Sequence, residues 1–138
     1  MRGDQKIVGH GIDLVEVAKL RFWLEEPSNP LAPRCFVQEE LAEINEAPDR
    51  FETFAGRYAA KEAVLKALGT GFGAGVAYSD VVIRRAPGRP PEVLLTGGAA
   101  RAAENLGITD WQLSISHTEA VAIASAIAIG VRGDECLP

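Results

Sequence analysis

Residues 51–68 read FETFAGRYAAKEAVLKAL, and no other stretch limits the possible folds so strongly. Set on a helix at about 100° per residue, Phe51, Phe54, Tyr58, Leu65 and Leu68 make one broad apolar stripe. Ala60, Ala63, Val64 and Ala67 make a second, small-residue stripe opposite. A surface helix wants its charges on one side, whereas this one asks for cover on two. It is predicted as the long central helix of the fold, ended by Gly69. Its small stripe lets a neighbouring backbone pack closely.

The remaining elements follow from periodicity. Residues 6–14 alternate Ile7, Gly9, Gly11 and Asp13 against Val8, His10, Ile12 and Leu14, which predicts a strand whose glycines permit close backbone approach. Helical spacing over 16–26 puts Val17, Leu20 and Leu24 on one face, and Pro27-Ser28-Asn29-Pro30 ends it. A second amphipathic helix spans 37–47 before Pro48. Strands are predicted at 78–85 and 92–96 around the turn Pro87-Gly88-Arg89-Pro90. A small alanine-rich helix covers 98–106 and closes at Gly107. Residues 111–117 alternate strictly, and 121–131 can pair back on them. Hairpins without a regular βαβ rhythm point to an α+β fold with a largely antiparallel sheet packed with the central helix.

At 138 residues the chain suits a single domain, 1–138, with ends at 1–5 and 133–138 expected to be flexible. Its net charge of −5 argues against a general nucleic-acid binder. The most apolar run, 121–131, is too short to cross a membrane as a helix, and the N-terminus shows no signal-peptide pattern. Cys35 and Cys136 lack CxxC spacing, so the expected compartment is the reducing cytoplasm.

Three features carry chemistry. Glu62 and Lys66 stand four apart and can meet, and a partly buried carboxylate needs such a partner, either Lys66 or a metal. Gly69, Gly71, Gly73 and Gly75 follow the helix. They leave its C-terminal pole, so they do not form a P-loop, and a phosphate there needs Lys66, loop amides or a metal ion. Asp13 closes an apolar strand. It either caps the next helix or joins Glu62 as a metal ligand, and two carboxylates with vacant coordination positions suit Mg²⁺. His117 and Thr118 sit where a strand turns, where a lone histidine is more often structural; His10, between glycines, has no assigned role.

Taken together, GHGIDLVEV at 9–17, FAGRYAAKEAVLKALGTG at 54–71, GRP at 88–90 and LSISHTEAVAIASAIA at 113–128 resemble the holo-[acyl-carrier-protein] synthases, the small bacterial 4'-phosphopantetheinyl transferases. The resemblance implies the 4'-phosphopantetheinyl transferase-like fold. It implies Mg²⁺-dependent transfer of 4'-phosphopantetheine from coenzyme A to a serine of apo acyl carrier protein, releasing adenosine 3',5'-bisphosphate. Asp13 and Glu62 would ligate Mg²⁺ and, with Lys66, form the catalytic set. Arg57, Lys61, Lys66, Gly69, Thr70, Gly71, Gly88, Arg89, Pro90, His117 and Thr118 would line the coenzyme A site. The serine proton would pass to Glu62, directly or through a metal-bound water. Lys19, standing where the family usually has arginine, and Arg21 would meet the acidic carrier protein. The family is typically a homotrimer with active sites between subunits, so one apolar face of the central helix would lie inside its own subunit and the other near a neighbour. Two other readings are a non-catalytic coenzyme A or carrier-protein binding module, and a different Mg²⁺-dependent phosphoryl-transfer or hydrolytic enzyme.

Overall fold

The computed structural model describes residues 3–26, 28, 31–69 and 75–131. Thr70, Gly71 and Gly73 of the glycine-rich loop, and the tail 133–138 with Cys136, lie outside the described residues. Strands β1 (Lys6–Glu16), β4 (Ile108–His117) and β5 (Val121–Gly130) form an antiparallel sheet in the order β1-β5-β4. A second antiparallel pair joins β2 (Val81–Arg84) to β3 (Glu92–Leu95). The helices are α1 (Val17–Glu25), α2 (Leu31–Cys35), α3 (Gln38–Glu46), α4 (Arg50–Leu68) and α5 (Gly97–Asn105).

Helix α4 lies across β1 and β5 on one side and meets α1, α3 and β2 on the other. Its small stripe explains the close approach to the sheet. Ala122, Ala124, Ala126 and Ala128 of β5 turn their methyls inward and are fully or almost fully buried. In register beside them on β1 stand Val15, Asp13, Gly11 and Gly9. A Cβ on Gly11 would collide with the Ala63 carbonyl, and one on Gly9 with the Ala67 carbonyl. The two glycines therefore permit main-chain contact between strand and helix. The larger stripe packs the other way, with Phe54 against Phe36 at 5.0 Å between ring centroids. Both apolar faces of α4 are thus covered within one chain, and the expectation that one would need a neighbouring subunit is corrected.

The most deeply buried charges among the described residues are Lys61 and Glu40, whose side chains are 0 % and 1 % exposed. Lys61 Nζ donates to Glu40 Oε1 at 2.9 Å, to the Tyr78 carbonyl at 3.1 Å and to the Val81 carbonyl. Glu40 also accepts from the Val37 and Ile83 amides at 3.0 and 2.9 Å. A buried charge is tolerable when its hydrogen-bonding capacity is filled, and this network ties α3 and α4 to β2. Burial draws the Lys61 pKa below the ordinary lysine value, against the opposing pull of Glu40.

Several elements depart from the periodicity, and β1 runs on to Glu16, beyond its expected end at 14 and into the expected start of the first helix. Residues 78–80 form a 3₁₀ turn rather than the start of a strand, because the Asp80 carboxylate accepts from the Ala77 amide. Strand β4 begins at Ile108 instead of 111, since a register shift between Ile108 and Asp110 breaks the alternation. Helix α2 was not expected; Pro33 fits its first turn, where the missing N–H has no partner to lose.

Candidate active site

Asp13 stands on the α4-facing side of β1, paired with Ala124. Its carboxylate Oδ1 accepts from Lys66 Nζ at 3.0 Å, and the same ammonium donates to the Ile12 carbonyl at 2.9 Å. Asp13 is 14 % exposed and Lys66 52 %. Asp13 does not cap α1, whose N-cap is Glu16. The Glu62–Lys66 pairing expected from their spacing is also replaced: Lys66 turns to Asp13, and Glu62 Oε1 accepts from the Tyr78 hydroxyl.

Asp13 and Glu62 nonetheless border one recess of about 300 Å³, together with Lys19, Trp23 and Tyr58. The aromatic wall is ordered. Tyr58 stacks on Tyr78 at 5.6 Å between ring centroids, and Trp23 meets Tyr58 edge-on at 6.4 Å. Lys19 Nζ sits 5.1 Å from the Trp23 ring centroid. Burial, joined by the nearby Glu62 charge, pushes the Tyr58 phenol up to about 12. Burial and then its hydrogen bond to Glu62 raise Tyr78 further. Both hydroxyls therefore stay protonated donors throughout the neutral range.

A second recess, of about 390 Å³, gathers Arg57, Gly88 and His117. His117 Nε2 lies 3.2 Å from Asp49 Oδ2. Arg57 donates to Glu43 at 2.8 Å and to the Ile83 carbonyl at 2.9 Å. The wall also carries Glu46, Glu52 and Arg85. The α4 residues of this recess, Glu52, Thr53, Gly56 and Arg57, centre on the side of the helix away from Tyr58 and Glu62, so the two recesses occupy opposite flanks of one helix.

Other expected nucleotide residues scatter. Lys61 is committed to the core, so its placement in a coenzyme A pocket is corrected: its ammonium is fully covered by three oxygen partners. Thr118 Oγ1 accepts from the Ala120 and Val121 amides at 3.1 Å and shapes the β4–β5 hairpin. Gly69 has φ of 72°, the left-handed conformation that ends α4. Gly88 has φ of 74° in the turn between β2 and β3, Arg89 is exposed there, and Pro90 borders a separate groove beside Trp111 and Leu113. Thr70 and Gly71 lie outside the described residues. Arg21 pairs with Glu25 at 3.2 Å and stacks over Phe51 at 4.5 Å.

Sequence reasoning missed Tyr78 as a partner of Glu62, and no spacing signals it, because the pair is 16 residues apart and brought together by the fold. Tyr58, assigned only to the apolar stripe, was likewise missed as a site residue, although its place four residues before Glu62, on the same flank, is a signal that could have found it. The donor set fits a small hard cation. Among the described residues no cluster of three or more His, Cys, Asp or Glu side chains forms. Asp13 and Glu62 supply oxygen donors of the kind a small hard cation takes, such a cation keeping waters and drawing further oxygens from substrate phosphates.

Comparisons with known proteins identify the family. The family profile described as the 4'-phosphopantetheinyl transferase superfamily matches residues 9–124. A holo-[acyl-carrier-protein] synthase of Desulforudis audaxviator is 46 % identical over 124 residues, covering 90 % of this chain and 94 % of that protein. The crystal structure of the Neisseria meningitidis holo-[acyl-carrier-protein] synthase superposes with a TM-score of 0.78 at 31 % identity, covering 89 % of this chain and 98 % of that one. The Helicobacter pylori holo-[acyl-carrier-protein] synthase, solved in complex with coenzyme A, superposes with a TM-score of 0.75 at 26 % identity, covering 86 % and 98 %. With the profile running from the first glycine of β1 through Asp13, Glu62 and Lys66 to the middle of β5, this chain belongs to the 4'-phosphopantetheinyl transferase superfamily.

Proposed function

We propose that this protein transfers 4'-phosphopantetheine from coenzyme A to a serine hydroxyl of apo acyl carrier protein. The observation that carries the proposal is the convergence of Asp13 and Glu62, distant in sequence, on one recess beside Lys66. In the reaction the serine oxygen forms a bond to the phosphorus that bears the pantetheine arm. The bond from that phosphorus to the bridging oxygen breaks, and adenosine 3',5'-bisphosphate leaves with the electron pair. Asp13 and Glu62 would hold Mg²⁺, which offsets negative charge on the diphosphate. Lys66, half exposed and paired with Asp13, adds a cation for the leaving phosphate. Glu62 takes the serine proton, directly or through a water.

Lys19 and Arg21, exposed on α1, supply positive charge toward an acidic carrier protein. The coenzyme A site combines Lys66 and the glycine-rich loop with Arg57, Gly88, Arg89, Pro90 and His117. Two recesses on opposite flanks of α4 favour a shared site, in which one subunit offers the carboxylates and its neighbour the His117 side. The outer face of the β1-β5-β4 sheet supports the same assembly, since Ile12 and Leu14 stand 53 % and 62 % exposed there. A homotrimer is the proposed state. Among the described residues no helix is long and apolar enough to cross a membrane, and the proposed compartment is the cytoplasm.

The test is direct. Incubation with coenzyme A, Mg²⁺ and apo acyl carrier protein adds the phosphopantetheine mass to the carrier. No gain in mass with any of several apo carriers overturns the proposal, and coenzyme A binding without transfer would favour the non-catalytic module. Glu62→Gln lowers turnover by about 100-fold or more and leaves the melting temperature near that of the parent.

A further inference from the structure

Glu62 ends in a carboxylate whose usefulness depends on how it is turned. A side-chain carboxylate rotates freely unless something grips one of its oxygens. Here the Tyr78 hydroxyl donates to Glu62 Oε1. The Tyr58 hydroxyl lies within reach of both the Tyr78 hydroxyl and the Glu62 carboxylate, so it backs the same carboxylate. The Tyr78 ring cannot swing away, because it lies stacked on Tyr58 at 5.6 Å, and Tyr58 is in turn abutted by Trp23. The 3₁₀ turn fixes the backbone from which Tyr78 projects, through the Asp80 carboxylate and the bond from the Thr96 amide to the Asp80 carbonyl at 2.9 Å.

We infer that Tyr78 is a positioning residue for the transfer: its hydroxyl, backed by Tyr58, sets the rotation of the Glu62 carboxylate and so where Oε2 stands in the recess. The inference rests on the transferase reading above and adds a residue to it. Tyr78 touches neither substrate nor cation; it acts through Glu62. Groups that hold a metal-binding carboxylate from behind commonly change metal affinity or activity by about 10- to 100-fold when removed.

Tyr78→Phe keeps the stacked ring and deletes only the hydroxyl. The Mg²⁺ concentration for half-maximal transfer rises about tenfold in this variant. The KM for apo carrier protein stays that of the parent. Mn²⁺ binding in the presence of coenzyme A, followed by electron paramagnetic resonance without turnover, weakens by a similar factor. Tyr58→Phe, which removes the backing donor, moves both readouts the same way by less. A merely structural role would lower the melting temperature of both variants and leave metal dependence untouched, and that result overturns the inference. If the parent itself transfers nothing, the transferase reading fails first; if the parent is active and Tyr78→Phe binds Mn²⁺ as tightly as it does, only the positioning role fails.

Discussion

The chain has two tyrosines, and the fold brings Tyr58 and Tyr78 together beside Glu62. Their raised pKa values make a prediction that needs no substrate. A phenol that holds its proton in the folded state beyond the point where the unfolded chain releases it adds stability below its unfolded value of about 10. That stability is lost as the pH rises from there towards the folded value of about 12 at Tyr58. Urea unfolding below pH 10 and between pH 10 and 12 therefore shows a marked fall in stability, and Tyr58→Phe reduces it, leaving the part that Tyr78 contributes. Tyrosinate absorbance reports these two residues alone. Ordinary tyrosinate titration near pH 10 in the folded protein would contradict the burial seen here. Lys61 shows a different residue-scale lesson. Its neighbour Glu62 belongs to the recess, yet one position along the helix the same kind of long polar side chain is turned into the core.

At the scale of elements, most of the fold was legible in the sequence. The helix over Arg50–Leu68, the strand at Lys6–Glu16 and the hairpin of β4 and β5 each follow from period and punctuation. What was not legible arises from contacts between distant segments. The β1–β5 pairing, the capture of Lys61 by Glu40 and the meeting of Tyr78 with Glu62 depend on how elements stack, and local spacing carries no trace of that. The convergence of Asp13 and Glu62 was legible only through a motif spread over both elements, whereas the Lys66–Asp13 pair was not, because the i, i+4 spacing favoured Glu62. The packing of β1 on α4 yields a graded test. Gly11→Ala places a methyl against main-chain atoms of Ala63 and Ala67, which cannot step aside, and costs about 1–3 kcal/mol or more in urea unfolding. Gly56→Ala meets only the Ile115 Cγ2 methyl, at 2.9 Å, and gains up to about 1 kcal/mol of helix propensity. Its net effect stays within about 1 kcal/mol of the parent. Equal losses at the two positions would show that the strand and helix are not in main-chain contact.

At the scale of the whole molecule, the outer sheet face and the paired recesses make one claim about assembly. Ile123 lies on that face opposite Leu14 of β1, and borders neither recess. Ile123→Glu should lower the mass measured by light scattering to that of a single chain and abolish transfer, with the circular dichroism spectrum unchanged. Full activity from a single-chain species would remove the shared site. Such a protein would still keep the relation between its two carboxylates. Asp13 follows Gly11 by two residues, and Glu62 precedes Ala63 by one, so both acids ride on segments joined through main-chain atoms. The spacing of the two main chains that carry them is thus fixed by backbone contact, which repacking elsewhere does not reset. Under the proposed reading, a cation held by Asp13 and Glu62 would meet main-chain segments already in place, and would first have to draw Asp13 away from the Lys66 ammonium.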